Sequence, residues 1–191
     1  ADIYPLLREA APDLEFHIVG SKPTPEILAI DAPGVTVHGF VEDLGAFLNQ
    51  RLATVVPLQF GAGIKGKIGS SLAAGVPVIS TSLGAEGMGL APEAEVLLAD
   101  TPQAFVSQIL RLVEDEALWT AISAAGLAFV ERSYSSRVTR ERLLRLFAKS
   151  GVTPFSGICP ITGRFENRRF TGGSTTDMLC AIPDGPNASE R

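Results

Sequence analysis

Short apolar runs recur along most of the chain, separated by amphipathic or polar stretches. The runs lie at Leu14–Gly20, Val35–Val41, Leu52–Leu58, Val76–Thr81 and Val96–Ala99. They are nearly continuous in hydrophobicity and do not alternate apolar with polar residues. Continuous runs of four to seven residues are typical of parallel strands covered on both faces. The pattern therefore predicts an α/β fold with a doubly wound parallel sheet.

Segments with helical spacing separate these predicted strands. Apolar residues fall on one side of each segment, and Gly75 stands where a glycine commonly ends a helix. The predicted helices cover residues 2–10, Pro25–Ile30, Leu44–Asn49, Lys67–Ala74, Pro102–Glu114, Glu116–Glu131 and Ser136–Lys149.

The character of the chain changes near residue 150. Residues 151–191 are rich in Gly, Pro, Ser and Thr and show little periodicity. We therefore predict one domain over residues 1–150 and, over 151–191, an irregular tail or the start of another module. The only two cysteines, Cys159 and Cys180, both fall outside the predicted core. They cannot form a disulfide framework, and two thiols without a histidine do not make a zinc site, so no metal is predicted.

Composition and charge narrow the classes of function. The 191 residues are 46% hydrophobic, and the net charge is −5. This balance argues against a nucleic-acid partner, which needs a clustered positive face. The longest apolar runs are too short to span a membrane, and no secretory leader is recognised at the start. With so few cysteines, a cytoplasmic location is the simplest expectation.

A glycine-rich loop offers the clearest candidate chemistry. The segment Gly61-Ala-Gly-Ile-Lys-Gly-Lys67 follows a predicted strand and opens a predicted helix. Glycines allow a ligand to approach the backbone, and free amides at a helix start favour an anion. Lys65 and Lys67 add positive charge on the same turn, which favours a phosphate or diphosphate. The alternative is a flexible glycine turn with two solvated lysines.

The same loop nearly matches a P-loop. Gly61, Gly66 and Lys67 fit that motif, but Ile68 stands where a P-loop has the Ser or Thr that holds magnesium. A P-loop-like nucleotide hydrolase is therefore the minor interpretation. A second polar segment, Ser80–Gly87, places Glu86 near the carboxyl ends of the strands, where ligands bind in open parallel sheets. Glu86 could accept hydrogen bonds from sugar hydroxyls, and a plain polar loop is an equal alternative.

These motifs combine into a family resemblance. The stretch PLQFGAGIKGKIGSSLAAGVPVISTSLGAEGM, residues Pro57–Met88, resembles the donor-binding half of group 1 glycosyltransferases of the GT-B fold. FHIVGSKP (Phe16–Pro23) and VTVHGFVEDLGAFL (Val35–Leu48) fit the same order upstream. The resemblance covers residues 1–148 and implies a Rossmann-like domain, one half of a GT-B fold. It implies a nucleotide-diphosphate sugar as donor substrate, with no other cofactor.

The resemblance also implies roles for individual residues. Gly61, Gly63, Ile64 and Lys65 would face the donor diphosphate, with Lys67 as a further cation. Gly39, Phe40 and Val41 would border the nucleobase. Two glutamates that relatives use near the ribose and the donor sugar fall here at Ser70 and Ala62, so Ser70 would offer one hydroxyl to the nucleoside and Glu86 would take over near the sugar. No catalytic residue is assigned.

The resemblance implies a two-domain enzyme whose other domain holds the acceptor. We expect that N-terminal GT-B domain, and the first strand of the donor domain, to be missing here, so that the chain alone would be inactive. The acceptor could be a glycan, a lipid or a small molecule. A non-catalytic nucleotide-sugar-binding or pairing module is the alternative from another class.

One predicted helix has an unusual surface. Its positive residues are Arg137, Arg140, Arg142, Arg145 and Lys149, and its apolar ones include Leu143, Leu144 and Phe147. A basic amphipathic helix can make a peripheral contact with an anionic membrane. A solvated face, or a contact with the other domain, is the more common role.

Overall fold

The computed structural model describes residues 2–60 and 65–150, together with the backbone of a short strand at 177–181. Within these residues, six strands form one sheet, and every pairing among them is parallel. The strands are β1 (Glu15–Val19), β2 (Val35–Gly39), β3 (Ala53–Val56), β4 (Val78–Ser80), β5 (Leu97–Leu98) and β6 (Asp177–Ala181). The helices are α1 (Ile3–Ala10), α2 (Pro25–Leu28), α3 (Leu44–Leu48), α4 (Gly66–Ala73), α5 (Ser82–Ala85), α6 (Pro102–Glu114), α7 (Glu116–Tyr134) and α8 (Ser136–Ser150).

The central strands β3 and β4 are buried on both faces because neighbouring residues along each of them enter different hydrophobic clusters, whereas β2 alternates half-buried and exposed residues. Val55 and Ile79 belong to the larger cluster, with residues of α1 and α6. Val56 and Val78 point to the opposite face and pack with Ile68 of α4 and residues of α7. This two-sided burial explains the continuous apolar runs in the sequence, and it confirms the predicted doubly wound α/β class.

Side-chain caps fix where several helices begin. Thr101 accepts a hydrogen bond from the Ala104 amide, with donor and acceptor 3.2 Å apart, and Pro102 follows it in the first turn of α6. Asp115 caps α7 in the same way. Gly75 adopts a φ of +73° just after α4, as its predicted role requires. Such local signals explain why most helix ends lie within a few residues of the prediction.

One short segment of the chain after residue 150 contributes a strand to the sheet. The sheet order is β2-β1-β6-β3-β4-β5, so β6 lies in the middle of the sheet, between β1 and β3. Residues 177–181 belong to the segment 151–191, which the sequence predicts to be an irregular tail or the start of another module. A five-residue strand among Gly, Pro and Thr leaves too little periodicity to detect. Residues 151–176 and 182–191 lie outside the described part of the chain.

Two further boundaries differ from the prediction. The predicted strand Val35–Val41 ends at Gly39, whose φ of +67° turns the chain out of the sheet. Within the predicted polar loop Ser80–Gly87, residues Ser82–Ala85 form the single helical turn α5. Among the described residues, no helix combines the length and the apolar character needed to cross a bilayer.

Candidate functional site

The carboxyl ends of all six strands lie at one edge of the sheet, because every strand pairing is parallel. Open parallel sheets bind ligands at this edge. The segments that leave it within the described residues begin at Gly20, Phe40, Pro57, Thr81 and Ala99. Most of the predicted site residues belong to these segments, so the topology brings them to a common edge.

The start of α4 brings two lysines to this edge. Lys65 is the N-cap residue of the helix, yet its side chain makes no capping hydrogen bond, and the first turn contains no acidic residue. Lys67 lies within that turn, and both lysines are half-buried. Amides at a helix start carry partial positive charge, so this turn is suited to an anion. Gly61, Gly63 and Ile64, predicted to complete the loop, lie outside the described residues.

Helix α4 is held firmly in place beneath this turn. Ile68 is 1% exposed, and Leu72 is equally buried on the same face. The Ser71 hydroxyl donates to the Lys67 carbonyl at 2.9 Å. Ser70 points away from the core and is exposed, so its hydroxyl is accessible to a ligand. Because Ile68 is buried and has no oxygen, the position that holds magnesium in a P-loop cannot do so here.

Polar side chains bind the segments after β3, β4 and β5 to each other. The Thr81 hydroxyl donates to the Leu58 carbonyl at 2.6 Å and accepts from the Gly84 amide at 3.0 Å. The Ser82 amide and hydroxyl both donate to the Asp100 carboxylate, at 2.8 and 2.6 Å. These bonds from Ser82 lower the pKa of Asp100, so the carboxylate is ionised near neutral pH. They give this part of the edge a fixed shape.

Glu86 ends α5 and is exposed at the same edge. It follows β4, which is the direct neighbour of β3 in the sheet. Neighbouring strands are about 4.8 Å apart, so Glu86 and the start of α4 belong to adjacent crossovers. This position suits the predicted contact with a donor sugar, which stays a prediction.

The predicted nucleobase residues lie further along the edge. Phe40 is 74% exposed and Val41 is half-buried, directly after the turn at Gly39. Two strands, β1 and β6, separate β2 from β3, so the ends of β2 and β3 are about 14 Å apart. Phe60 was not predicted as a site residue; it is 78% exposed in the segment after β3. Both aromatic rings could stack on a base.

A second group of side chains that the sequence did not predict to meet lies at strands β1 and β2 and involves two histidines and an arginine. His17 is 6% exposed, and its Nδ1 lies 2.9 Å from Nε2 of His38. Arg51 Nη1 lies 3.3 Å from Nε2 of His17, and its guanidinium stacks over the Phe47 ring at 4.3 Å. His17 lies within the apolar run of β1, and its burial is that of a structural residue. Residues from four different elements or loops meet here, so spacing along the chain gives no signal for it.

The fold and the arrangement of this edge define a class of protein, the Rossmann-like domain of GT-B glycosyltransferases. The structure of TarM superposes with a TM-score of 0.65 at 17% sequence identity, covering 76% of this chain. The C-terminal domain of LpcC from Francisella tularensis gives 0.58 at 19% identity and 71% coverage. Sucrose-phosphate synthase from Thermosynechococcus elongatus gives 0.61 at 18% identity and 76% coverage. At these identities the similarity concerns the fold.

The family follows from a separate comparison of sequence. The model of the family "Glycosyl transferases group 1" matches residues 1–115, more than half of the chain. The chain therefore belongs to the group 1 glycosyltransferases, as its motifs predicted. A search among curated proteins gives no match.

The chain is shorter than most of these structures. It spans 31% of TarM and 48% of sucrose-phosphate synthase, but 77% of the LpcC C-terminal domain. Two of the similar structures contain a nucleotide. HepE from Anabaena, 13% identical with a TM-score of 0.58, is in complex with UDP, and the chain covers 52% of it. A TarM variant from S. aureus is in complex with Fondaparinux, alpha-GlcNAc-glycerol and UDP.

Proposed function

We propose that this domain binds the nucleoside diphosphate part of a nucleotide-sugar donor, for transfer of the sugar to an acceptor. The observation that carries the proposal is the start of α4, where Lys65 and Lys67 flank a helix terminus without a side-chain cap at the ligand-binding edge. Membership in a glycosyltransferase family supports a donor of this kind.

Different residues of the site would bind different parts of the donor. Lys65, Lys67 and the amides of the first turn of α4 would bind the diphosphate, together with Gly61, Gly63 and Ile64. Phe40, with Gly39 and Val41, would border the base. Ser70 and Glu86 would hydrogen-bond the nucleoside and the sugar. These assignments agree with the exposure of Phe40, Ser70 and Glu86 at one edge.

The chemistry of transfer explains the need for fixed positive charge. When the bond between sugar and diphosphate breaks, negative charge develops on the leaving diphosphate. Amides and ammonium groups already directed at that position stabilise the charge without reorganising. The acceptor, and any base that activates it, would come from a second domain. The chain spans only 31% of TarM, so the complete transfer reaction is proposed for the chain together with such a domain.

A titration tests the donor proposal. UDP is the first nucleotide to test, because two similar structures contain it; GDP, dTDP and ATP, each with and without magnesium, are the comparisons. We expect stabilisation by one nucleoside diphosphate in the absence of magnesium. Stabilisation by ATP only with magnesium would instead support the P-loop-like hydrolase.

The variant Lys65→Ala should weaken the binding of that nucleoside diphosphate. Loss of a hydrogen bond to a charged group costs about 1.5–3 kcal/mol, or a roughly 10- to 150-fold higher Kd. Calorimetric titration measures the change. The matched control is Lys149→Ala, which removes the same charge from α8, an element that contributes no residue to the proposed site. An equal Kd for Lys65→Ala and wild type would refute the role of Lys65.

A non-catalytic binding module is the second candidate. It is favoured by Ser70, a hydroxyl residue on the face where relatives carry a ribose-binding glutamate. The two candidates differ in activity and not in nucleotide binding. Release of sugar from the donor on adding an N-terminal GT-B domain and an acceptor mixture supports the enzyme. Binding without transfer under these conditions supports the module.

A further inference from the structure

Helix α5 is a single turn between β4 and the segment that contains Glu86, and it begins with a side-chain cap. The Thr81 hydroxyl accepts a hydrogen bond from the Gly84 amide at 3.0 Å and donates one to the Leu58 carbonyl at 2.6 Å. Gly84 is buried, and a Cβ atom there would collide with the Ser80 hydroxyl. The underside of α5 therefore packs directly against the end of β4.

A second restraint on α5 comes from Asp100, which follows β5. Its two carboxylate oxygens accept hydrogen bonds from the amide and the hydroxyl of Ser82, the first residue of α5, at 2.8 and 2.6 Å. The backbone before Asp100 is fixed because the Ala99 amide donates to the Ser80 carbonyl at 2.9 Å. The backbone after it is fixed because Thr101 caps α6. Asp100 therefore ties α5 to the start of a well-anchored helix.

The bonds from Asp100 are not what makes the turn helical. Thr81 already caps α5, and both Ser82 and Asp100 are exposed. A hydrogen bond between exposed groups adds little to the free energy of unfolding, because water takes its place when it breaks. Two bonds from one carboxylate do, however, fix the direction of the turn relative to β4. Asp100 therefore restrains the orientation of α5 more than its formation.

Glu86 lies at the other end of this turn. It is the C-cap residue of α5, four residues after Ser82, which corresponds to a rise of about 6 Å. Beyond Glu86 the chain passes through Gly87 and Gly89, at φ values of +77° and +74°. Glycines restrain the backbone least of all residues, so this side does little to hold Glu86 in place. The direction of the Glu86 carboxylate therefore depends on how α5 is held.

We propose that Asp100 is a positioning residue for the contact between Glu86 and the donor sugar. This inference rests on the proposed function, because it requires a nucleotide sugar at this edge of the sheet. Asp100 acts through Ser82 and α5, and not by contacting the donor. Without its bonds, Glu86 has the binding-competent direction for only part of the time. The apparent Kd of the nucleotide sugar then rises by the inverse of that fraction.

Calorimetric titration of the full chain tests the proposal. The ligands are UDP, GDP and dTDP, each free and as UDP-glucose, GDP-glucose or dTDP-glucose, and the sugar contact is measured by the ratio of the two Kd values. Asp100→Ala should raise the Kd of the nucleotide sugar at least about threefold and that of the free nucleotide by less than about twofold. Glu86→Ala, which removes a hydrogen bond from a charged group, should raise the Kd of the nucleotide sugar about tenfold. Asp100→Ala combined with Glu86→Ala should cause no further rise, because both changes affect the same contact.

Two variants separate positioning from charge and from stability. Asp100→Asn keeps an oxygen for the Ser82 amide and has an N–H for its hydroxyl, so it should retain most of the wild-type ratio. Asp115→Ala removes a comparable carboxylate cap from α7, which contributes no residue to the proposed site, and should leave the ratio unchanged. Equal losses in Asp100→Asn and Asp100→Ala would assign the effect to charge and overturn the proposal, as would the same loss in Asp115→Ala.

Hydrogen exchange in the absence of ligand distinguishes this inference from the proposed function. Asp100→Ala should speed exchange several-fold at the amides of Ala85 and Glu86, which bond within the turn, and Asp115→Ala should not. Unchanged exchange at these amides would mean that Asp100 does not hold α5, and the inference would be wrong whatever the chain binds. A wild-type chain that binds none of the nucleotides or their sugars refutes the proposed function, and this inference with it. Binding by the wild-type chain, with a Kd ratio that Asp100→Ala does not change, refutes this inference alone.

Discussion

The hydrogen bonds of Arg51 determine the proton positions in the histidine pair. A guanidinium only donates, so Nε2 of His17 accepts from Arg51, and Nδ1 of His17 carries the proton that points to Nε2 of His38. Glu15 lies 3.5 Å from the same Nε2 of His17, on the exposed side. A second proton on His38 would face the N–H of His17. The cluster is therefore arranged for a neutral His38.

The preference of the fold for a neutral His38 should make the stability of the protein depend on pH. Desolvation first, and then the positive charge of Arg51, lowers the pKa of His38 in the folded state. The unfolded state therefore takes up a proton first as the pH falls through about 6.5. We expect the contribution of His38 to the free energy of unfolding to decrease from that pH down to the folded-state pKa of His38, and to change no further below it. His38→Gln should flatten this slope in urea titrations at several pH values.

A carboxylate provides the control for this experiment. The pKa of Asp100 is also lowered by the fold. An aspartate with a lowered pKa reduces the free energy of unfolding only when the pH falls below the ordinary aspartate pKa of about 3.9. Asp100→Asn should therefore leave the slope in the histidine range unchanged. If His38→Gln and wild type have the same slope there, His38 is not held neutral by the fold.

Helix boundaries show how far local sequence determines elements. Asp115 follows α6 directly, and its Oδ1 accepts from the Leu118 amide at 2.9 Å to begin α7. An N-cap contributes about 1 kcal/mol. Asp115→Ala should therefore lower the free energy of unfolding by that amount, and Asp115→Asn, which keeps an accepting oxygen, should lower it much less. Chemical denaturation measures both. Equal losses in the two variants would mean that charge, and not the cap, is responsible.

The sequence predicts elements well where such local signals exist. Continuous apolar runs indicate β1, β3 and β4, and a Thr-Pro pair marks the start of α6. The single turn α5 spans little more than one helical period, and β6 stands alone among Gly, Pro, Ser and Thr without a predicted helix beside it to mark it as part of the alternating pattern. Contacts between distant parts of the chain are not predicted either. Buried Glu95, which accepts from the nearby Ala91 amide, also forms an ion pair with Arg132 of α7. Nothing in their spacing predicts that contact.

The sequence also predicts part of the candidate site and leaves another part unpredicted. Order along the chain, with the rule that ligands bind at the carboxyl ends of parallel strands, places Lys65, Lys67 and Glu86 at one edge. Phe60 and the Asp100–Ser82 bonds emerge only from the folded arrangement. Side-chain hydrogen bonds and exposure depend on which segments become neighbours, and a single sequence does not contain that information directly.

At the scale of the whole molecule, sheet order is what the sequence could not reveal. A doubly wound sheet has the strand order 3-2-1-4-5-6, and here β2-β1-β6-β3-β4-β5 reproduces it with β6 in the place of the first strand. A parallel strand can be supplied from any point of the chain that a crossover can reach. The segment 177–181 thus joins two halves of the sheet, β1 with β2 and β3 with β4 and β5.

This central position makes a strong prediction for Leu179. Leu179 is in register with His17 on one side and Thr54 on the other, so proline there would remove an amide from the interior of the sheet. We expect Leu179→Pro to lower the free energy of unfolding by at least about 1–3 kcal/mol and to speed hydrogen exchange at the amides of β1 and β3. Leu179→Val, which keeps the backbone amide, is the matched control and should lower the free energy of unfolding less. Because β1 and β3 are joined through β6 and not to each other, a wild-type midpoint for Leu179→Pro would mean that the two halves of the sheet are stable without this strand.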